Sequence, residues 1–392
     1  MAITILQAPR TRTPVYNDVV LTVDSTNVAQ PKFSYIFEIY DGTNTTKLAT
    51  LRIPPEINYQ YGVVHLQGIL QAFVKSDFFG NDATTGVKPV PNTTYDYYVR
   101  IGEEYEVAGV ITQFLNLDTV NDTVFAGSLQ YEKFVTFDIT DYDLNGSKKL
   151  FFTNRPLTFY VGLTDEGYTG AYKNAGYNFE VRTYDSSGSL VQTATFDGTT
   201  DLFVNVPTAP LSINNTTLLT GTQPLITSSI ARYEINCIGT GVPRSVTLDI
   251  RLKEYCQSYN LHFLNDFGWF DYFRFITAKE SFDFEKDNYK QDPLRLQSDG
   301  SYVWSTQDRE VVQYQTTQKQ KLKLFSDWIT EEEAIWLREM VSSPEVYIDW
   351  NGNRYSIVIT NTNYQVKQEG LDEIFNIELD VEFSVNTIRQ KW

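Results

Sequence analysis

The chain has 392 residues, and its 32 Lys and Arg against 49 Asp and Glu give a formal net charge of −17. That length suits two or three domains, and a content of 42% hydrophobic and 15% aromatic residues excludes intrinsic disorder. The acid excess argues against a protein that reads nucleic-acid sequence or docks on an anionic membrane, because both need clustered basic side chains. No apolar run reaches the ~18 residues that span a bilayer, and the first residues lack the pattern of a signal peptide, so we expect a soluble protein made in the cytoplasm.

Alternating apolar and polar residues predict a series of short β-strands. Phe33, Tyr35 and Phe37 share one face of the first clear strand, which ends at the turn signal Asp41-Gly42. The same alternation predicts strands at 48–53, 96–101, 104–114, 134–139, 149–153, 158–163, 177–184 and 190–196. Short strands at regular spacing, with turn residues between them, are typical of β-sandwiches.

One pair of segments indicates an internal repeat. Residues 35–39 lead to Asp41 as residues 177–181 lead to Asp185, and each segment places Tyr and Phe on one strand face and Glu on the other. Two copies of one sandwich module explain the match, and so do two unrelated hairpins that obey the same alternation rule. Both interpretations stay open at this point.

Two stretches break the β pattern. Apolar residues at helical spacing predict a helix within 62–76. A stronger helix begins at Thr330, which forms a capping box with Glu333; Trp336 lies in its apolar stripe, and Pro344 follows its end. Strands resume at 346–350, 355–360 and 375–383.

These changes of pattern predict three domains. An N-terminal β-sandwich with one helix occupies 1–118, a second β-sandwich occupies 119–258, and an α+β domain with one well-defined helix occupies 259–392. The expected fold class is mainly β, with tandem sandwiches of immunoglobulin or fibronectin type. Within the second domain, residues 205–229 are rich in Pro, Thr, Asn and Gly. We interpret them as a long loop, and loops of that length usually carry function or serve as an interaction arm.

Two short motifs match ligand sites only in part. Residues 141–146, DYDLNG, open like a calcium-binding loop, but the later ligand positions hold Ser147, Lys149 and Phe152. A solvated turn is therefore favoured over a calcium site. The triplet DFG at 266–268 matches the magnesium-binding triplet of kinases without the other kinase motifs, so we attribute it to chance.

The remaining reactive residue types do not form a catalytic pattern. His65 and His262 lie among apolar residues, which favours packed histidines over catalytic ones. Cys237 and Cys256 are either two buried thiols or one disulfide, and the sequence leaves both open. Phosphate loops, nucleophile elbows and zinc-protease helices are absent from the sequence, so we expect no enzyme, no cofactor and no metal. A pair of glycosidase carboxylates stays open, since such pairs are set by distance in space.

The two ends of the chain are basic although the body is acidic. Arg10 and Arg12 precede the first acidic residue, and Arg389, Lys391 and Trp392 lie at the other end. Basic ends are attracted to an acidic neighbour, and a buried Arg or Trp anchors such a contact. These five residues are therefore candidates for a subunit interface, against the alternative of frayed termini.

Several segments together resemble virion structural proteins of tailed phages and prophages of Bacteroidota, including the crAss-like phages. The resemblance covers most of the chain in scattered patches. It is carried by QAP at 7–9, FSYIF at 33–37, CQSYNLHFLN at 256–265, GWFDYFRF at 268–275, KLKL at 321–324, Glu333, Trp336 and Leu337 in the predicted helix, SSPEVY at 342–347 and SIVIT at 356–360.

The resemblance implies a non-enzymatic building block of the phage tail or neck, such as a ring or tail-barrel protein. Such a protein forms a closed homo-oligomeric ring of roughly six or twelve copies and contacts adjacent tail, neck or portal proteins. An acidic lining repels the passing genome, so DNA is expected to pass without specific binding, which suits the charge of −17. The expected location is the virion, after synthesis in the cytoplasm of the bacterial host.

Two other functions remain as alternatives. A receptor- or glycan-binding β-sandwich protein of the phage tail is consistent with the many Tyr and Trp residues, because these rings stack on sugars. A glycoside hydrolase of the virion requires a cleft with two facing carboxylates.

Overall fold

The computed structural model describes residues 3–78, 86–139, 151–172, 177–196, 203–239, 248–253, 257–292, 294–303, 306–307, 309–361 and 376–389. The fold is mainly β and of sandwich type, as the alternating, aromatic-rich sequence predicts. The chain divides into two compact units. Unit 1 comprises Met1–Glu254 and Phe263–Tyr272, and unit 2 comprises Tyr255–His262 and Phe273–Trp392. The division into three domains at 1–118, 119–258 and 259–392 stays a prediction.

The first β-sandwich of unit 1 packs a three-stranded sheet against a five-stranded sheet. Val23 and Val64 from one sheet and Phe37 and Val99 from the other are buried in one apolar core. The strand orders are β1-β3-β6 and β2-β9-β8-β4-β5. The elements in this part of the chain are β1 (Ile3–Gln7), β2 (Thr13–Pro14), β3 (Val20–Ser25), β4 (Ser34–Asp41), β5 (Lys47–Ile53), β6 (Gly62–His65), α1 (Gln67–Leu70), a 3-10 turn (Gln71–Phe73), β7 (Lys88–Pro89), β8 (Thr94–Val107) and β9 (Val110–Phe125). Of these, β7 belongs to the second sandwich.

The second β-sandwich of unit 1 has the same two-layer design. Val181 and Ile235 from its larger sheet and Val204 from its smaller sheet are buried in a common core. The strand orders are β10-β17-β16-β12-β13-β15 and β11-β14-β7. The elements are α2 (Tyr131–Val135), β10 (Thr158–Val161), β11 (Tyr168–Tyr172), β12 (Asn178–Tyr184), β13 (Leu190–Phe196), β14 (Phe203–Pro207), α3 (Pro210–Asn214), β15 (Leu218–Thr220), β16 (Arg232–Ile238) and β17 (Leu248–Leu252).

The two sandwiches share one topology. The edge strand β2 runs parallel to β9, as β10 runs parallel to β17. The hairpin β4–β5 continues the sheet beside β8, as β12–β13 does beside β16, and β3 pairs with β6 as β11 pairs with β14. A short helix follows both β6 and β14. The resembling segments 35–39 and 177–181 belong to β4 and β12, which hold equivalent places, so the structure favours the duplicated module over unrelated hairpins.

Unit 2 is built on one large antiparallel sheet and one helix. Its strand order is β19-β18-β24-β25-β26-β23-β20, and β27 pairs with β23 beside this path. Tyr259–His262 of β18 and Phe273–Phe275 of β19 belong to this unit. The elements are β18 (Tyr259–Leu264), β19 (Phe270–Phe275), β20 (Thr277–Lys290), β21 (Arg295–Leu296), β22 (Tyr302–Val303), β23 (Val311–Phe325), α4 (Glu331–Ser342), β24 (Val346–Trp350), β25 (Asn353–Ile359), β26 (Glu378–Phe383) and β27 (Thr387–Arg389).

Helix α4 confirms the predicted capping box. The hydroxyl of Thr330 accepts a hydrogen bond from the Glu333 amide at 3.3 Å, and the Glu333 carboxylate accepts one from the Thr330 amide at 2.9 Å. Trp336 and Met340 of the apolar stripe are buried, and the ring of Trp336 meets Phe273 edge to face, with 6.0 Å between centroids. The helix is therefore anchored at its start by polar contacts and along its length by apolar ones.

Three predicted secondary-structure elements differ from the structure in extent or type. The helix predicted within 62–76 shrinks to the short α1, because its first residues pair with β3 as strand β6. The strand predicted at 134–139 begins in a helix, since Phe134 belongs to α2. The strand predicted at 104–114 is the end of a long hairpin, whose two-residue turn at Ala108-Gly109 has positive φ at both positions. The predicted strands at 149–153 and 375–383 begin outside the described residues.

Residues 205–229 are folded into the second sandwich, in contrast to the predicted long loop. They contain the end of β14, the helix α3 and the strand β15. Ala209, Ile213, Leu225 and Ile226 are buried in the core of this sandwich. Polar composition suggested a loop, but apolar side chains at a few spaced positions are enough to anchor the segment.

The turn between β18 and β19, within the part of the chain that belongs to unit 1, has a closely packed backbone. The Asn265 amide donates to the Trp269 carbonyl at 2.8 Å, and the Gly268 amide donates to the Asn265 carbonyl at 3.0 Å. Gly268 has φ +87°, and a Cβ at this position would overlap the carbonyl oxygen of Ala126. Glycine is therefore required here for two reasons, its positive φ and its close approach to another backbone segment.

Substituting this glycine tests the close approach. We expect Gly188→Ala, at φ +82° with no neighbouring atom, to lower the free energy of unfolding by about 1 kcal/mol from backbone strain alone. Gly268→Ala carries similar strain and also an overlap with backbone, so we expect a further loss of about 2 kcal/mol. Urea unfolding followed by tryptophan fluorescence measures both variants, and equal losses would contradict the packing of this turn.

Candidate functional site

Arg10, a predicted interface residue, is bonded within unit 1. Its guanidinium group donates to the carbonyl oxygens of Phe134, of Val135 at 3.0 Å and of Phe137 at 3.2 Å. It also lies 4.9 Å from the centroid of the Phe134 ring, a cation–π contact. These contacts fasten the N-terminal segment to the short helix α2 of the same chain.

Arg12 has a similar role beside the second sandwich. Its guanidinium group lies 4.7 Å from the centroid of the Tyr172 ring and donates to the Tyr172 hydroxyl. Its backbone amide donates to the Asp122 carboxylate at 3.0 Å. Burial raises the pKa of Asp122, and the hydrogen bond from Arg12 partly opposes this rise.

The structure does not bring the five candidate interface residues together as one described site. Arg10 and Arg12 have partners in their own chain, and the backbone of Arg389 lies in β27 opposite Thr316. Lys391 and Trp392 lie outside the described residues. A role for all five in subunit contacts stays a prediction.

A small cleft lies next to Arg12 in unit 1. Its volume is about 190 Å³, and Arg12, Asp96 and Phe203 are among the residues that line it. Sites for small organic ligands usually have volumes of about 300–1,000 Å³. This cleft therefore offers less room than a typical ligand pocket.

His262 is a buried histidine of unit 2 with a carboxylate partner. Its Nε2 atom lies 3.0 Å from Oδ2 of Asp349, and Arg354 holds the same carboxylate at 2.6 and 3.0 Å. Burial alone would raise the pKa of Asp349, but hydrogen bonds from His262 and Arg354 outweigh it and lower the pKa to about 2. The sequence analysis missed this carboxylate because 87 residues separate the two partners.

Acid titration tests this pair. The lowered pKa of Asp349 stabilises the folded state at pH above about 4, and this contribution disappears as the pH falls through about 2. We expect Asp349→Asn to lower the free energy of unfolding at pH 7 by about 2 kcal/mol and to flatten its dependence between pH 4 and pH 2. Urea unfolding at each pH checks this, with Asp118→Asn as the control. An unchanged slope in Asp349→Asn would contradict the assigned interaction.

The short ligand-type motifs do not supply a described metal or nucleotide site. Within the described ranges, no three His, Cys, Asp or Glu side chains are placed to hold a metal ion. The calcium-loop segment 141–146 lies outside the described residues, as does Cys256, while Cys237 is buried in β16. The triplet 266–268 forms the turn after β18, where Asp266 pairs with Lys133 at 3.2 Å.

Among the helices that the structure describes, none is both long and apolar enough to cross a membrane.

The most extended feature of unit 2 is the hairpin of β20 and β23, here called the arm. Fourteen residues of β20, Thr277–Lys290, pair with Val311–Phe325 of β23. At about 3.4 Å per residue, the paired segment is about 45 Å long. Strand β26 flanks β23 only at residues 321–325, and β27 flanks it at 316–318.

Ion pairs connect the two strands of the arm. Lys321 contacts Asp283 at 2.7 Å and Glu382 of β26 at 2.9 Å, and Lys319 contacts Glu285 at 3.5 Å. The hydrogen bonds with Asp283 and then Glu382 raise the pKa of Lys321. Each such surface pair adds little stability, and Lys279 lies directly opposite Lys323 in the same pairing.

The arm exposes a large share of the apolar side chains on the surface. Of the 31 large apolar side chains that the structure describes as exposed, nine lie in residues 277–325, an eighth of the chain. They are Phe282, Phe284, Tyr289, Leu294, Leu296, Tyr302, Val303, Val311 and Tyr314. A concentration of exposed apolar surface marks an interaction site in a folded protein.

The sequence analysis did not single out the arm, although a signal was present. Lysines recur at every second position at 319, 321 and 323, and acids recur at 283, 285 and 287. Complementary charges with a period of two are the pattern of a paired antiparallel ribbon.

A second exposed apolar site is the tip of the β8–β9 hairpin, where Val107, Val110 and Ile111 face solvent.

Comparison of the chain with protein-family models and with curated proteins finds no match.

Proposed function

We propose that this chain is a structural, non-enzymatic subunit of a phage virion and forms part of a ring in the tail or neck. The observation that carries the proposal is the arm, a long hairpin with exposed aromatic side chains. A catalyst needs a pocket that excludes water, whereas an assembly subunit needs extended surfaces that a neighbour can cover.

Two further features support an assembly role. The duplicated sandwich gives unit 1 two similar modules built from β-sheets, and repeated modules offer extended surfaces for contacts with neighbours. The net charge of −17 suits a ring that conducts DNA, because like charge keeps the genome from adhering to the wall. The resemblance of the segments at 256–265 and 268–275 to phage virion proteins points the same way.

Imaging of the purified full-length protein tests this function. We expect mass photometry and negative-stain electron microscopy to show closed cyclic oligomers of roughly six or twelve copies in low salt. A closed ring satisfies every subunit contact, so one ring size should dominate. Monomers only, both in solution and in virions, would overturn the proposal, and a specific signal on a glycan array would favour the receptor-binding alternative.

A further inference from the structure

Strand β20 forms an open edge of the large sheet in unit 2. It is the last strand on the path of this sheet, and among the described residues only β23 pairs with it. Strands β26 and β27 pair with β23 on its other side, so they do not cover this edge. One side of β20 therefore presents backbone N–H and C=O groups that no described strand uses.

This edge is long for an open one. Strand β20 has 14 residues, and 12 of them are exposed. Folded proteins usually keep their open edge strands very short, because an unpaired edge is a template for a strand of another chain. An added antiparallel strand forms about one backbone hydrogen bond for each residue that it pairs. The edge of β20 therefore fits a partner that supplies an extended strand.

The charges of β20 indicate which strand fits this edge. The strand carries three lysines and four acids, and their order is complementary to its own reverse. In an antiparallel pair of two copies of β20, centred on Asp283, Lys279 of one copy opposes Asp287 of the other. In the same register, Glu280 opposes Lys286, and two-fold symmetry repeats both pairs. The other antiparallel registers that pair most of the strand offer fewer opposite charges.

The same register brings exposed aromatic rings together. Phe282 of one copy opposes Phe284 of the other, and these rings are 43% and 54% exposed in the single chain. Side chains that oppose each other directly have Cβ atoms about 5 Å apart, so the two rings would cover each other. The unfavourable pair of this register is Asp283 with its own copy. Lys321 lies 2.7 Å from Asp283 within each chain and offsets that like charge.

We propose that two copies of this chain pair edge to edge through β20, antiparallel, with residues 277–289 of one copy opposite residues 277–289 of the other. The contact is isologous, and it joins the two sheets into one continuous sheet. Charged side chains on an edge strand hinder pairing with most other strands, and here they favour a strand of complementary pattern. The inference goes beyond the proposed ring, because this contact joins copies in twos whether or not other contacts close a ring.

Cysteine crosslinking of the full-length chain tests the register. Asp283→Cys places two thiols opposite each other, with their Cα atoms within the ~7 Å that a disulfide spans. Ser281→Cys alone and Glu285→Cys alone place them about 14 Å apart, but a mixture of these two variants places them opposite each other. We expect disulfide-linked dimers from Asp283→Cys and from the mixture, at least about tenfold above the wild type and above either control alone. Absence of such dimers from both would overturn the inference.

An exchange of charges tests the complementarity. In the Asp283→Cys background, Glu280→Lys alone or Lys286→Glu alone places like charges opposite each other at two symmetric positions. We expect the yield of crosslinked dimer at a fixed, non-saturating concentration to fall about tenfold in each single variant. The double exchange, Glu280→Lys/Lys286→Glu, makes the charges opposite again and should restore the yield. A double variant as impaired as the single ones would contradict the proposed register.

The outcomes separate this inference from the proposed function. Crosslinked dimers without rings would support the pairing of β20 and contradict the ring function. Rings without crosslinked dimers would support the ring function and overturn the pairing. Thermal unfolding confirms that each variant is folded, and the mixture of Ser281→Cys with Glu285→Cys tests the same register with Asp283 intact.

Discussion

An aromatic cluster holds unit 1 together. The indole of Trp269 stacks on Phe152 with 4.6 Å between centroids, and it lies 5.8 Å from Phe125 and 6.0 Å from Phe203. Phe125 ends β9 of the first sandwich, whereas Phe152 and Phe203 belong to the second. Each large buried ring contributes about 1.5–3 kcal/mol, and stacked pairs add to this. The cluster therefore joins the two copies of the sandwich module, together with contacts such as that of Arg12 with Tyr172.

The position of Trp269 depends on the polar side chain of Asn265. Its amide oxygen accepts hydrogen bonds from the backbone amides of Phe267 and Trp269 at 3.0 and 3.1 Å, and its NH₂ group donates to the Phe152 carbonyl at 2.9 Å and to Asp271 at 3.1 Å. Four hydrogen bonds use the capacity of the buried amide almost fully, so its burial carries little penalty. These hydrogen bonds satisfy the polar groups of the turn, so a tight glycine turn can lie inside an apolar cluster.

Local patterns in the sequence predicted local structure well. Alternation located β4, β12 and β13, and the capping box located the start of α4, because each depends on residues that are neighbours along the chain. The prediction was wrong where tertiary pairing decides the outcome. The apolar residues at helical spacing begin at Leu66, and the preceding Gly62–His65 pairs with β3 as a strand. The contact of His262 with Asp349 also lies beyond local reasoning, since strand order brings the two together.

The strand pairing within the arm bears on how an assembly forms. Binding loses affinity when flexible segments must be ordered, at a cost of about 0.5–1.5 kcal/mol for each immobilised side chain and more for backbone. Cross-strand ion pairs such as Lys321 with Asp283, together with the pairing of β23 to β26 at the base, order the ribbon before any neighbour arrives. Much of the entropy cost is then borne during folding of the subunit. The exposed rings can then add their apolar contribution to association with little loss.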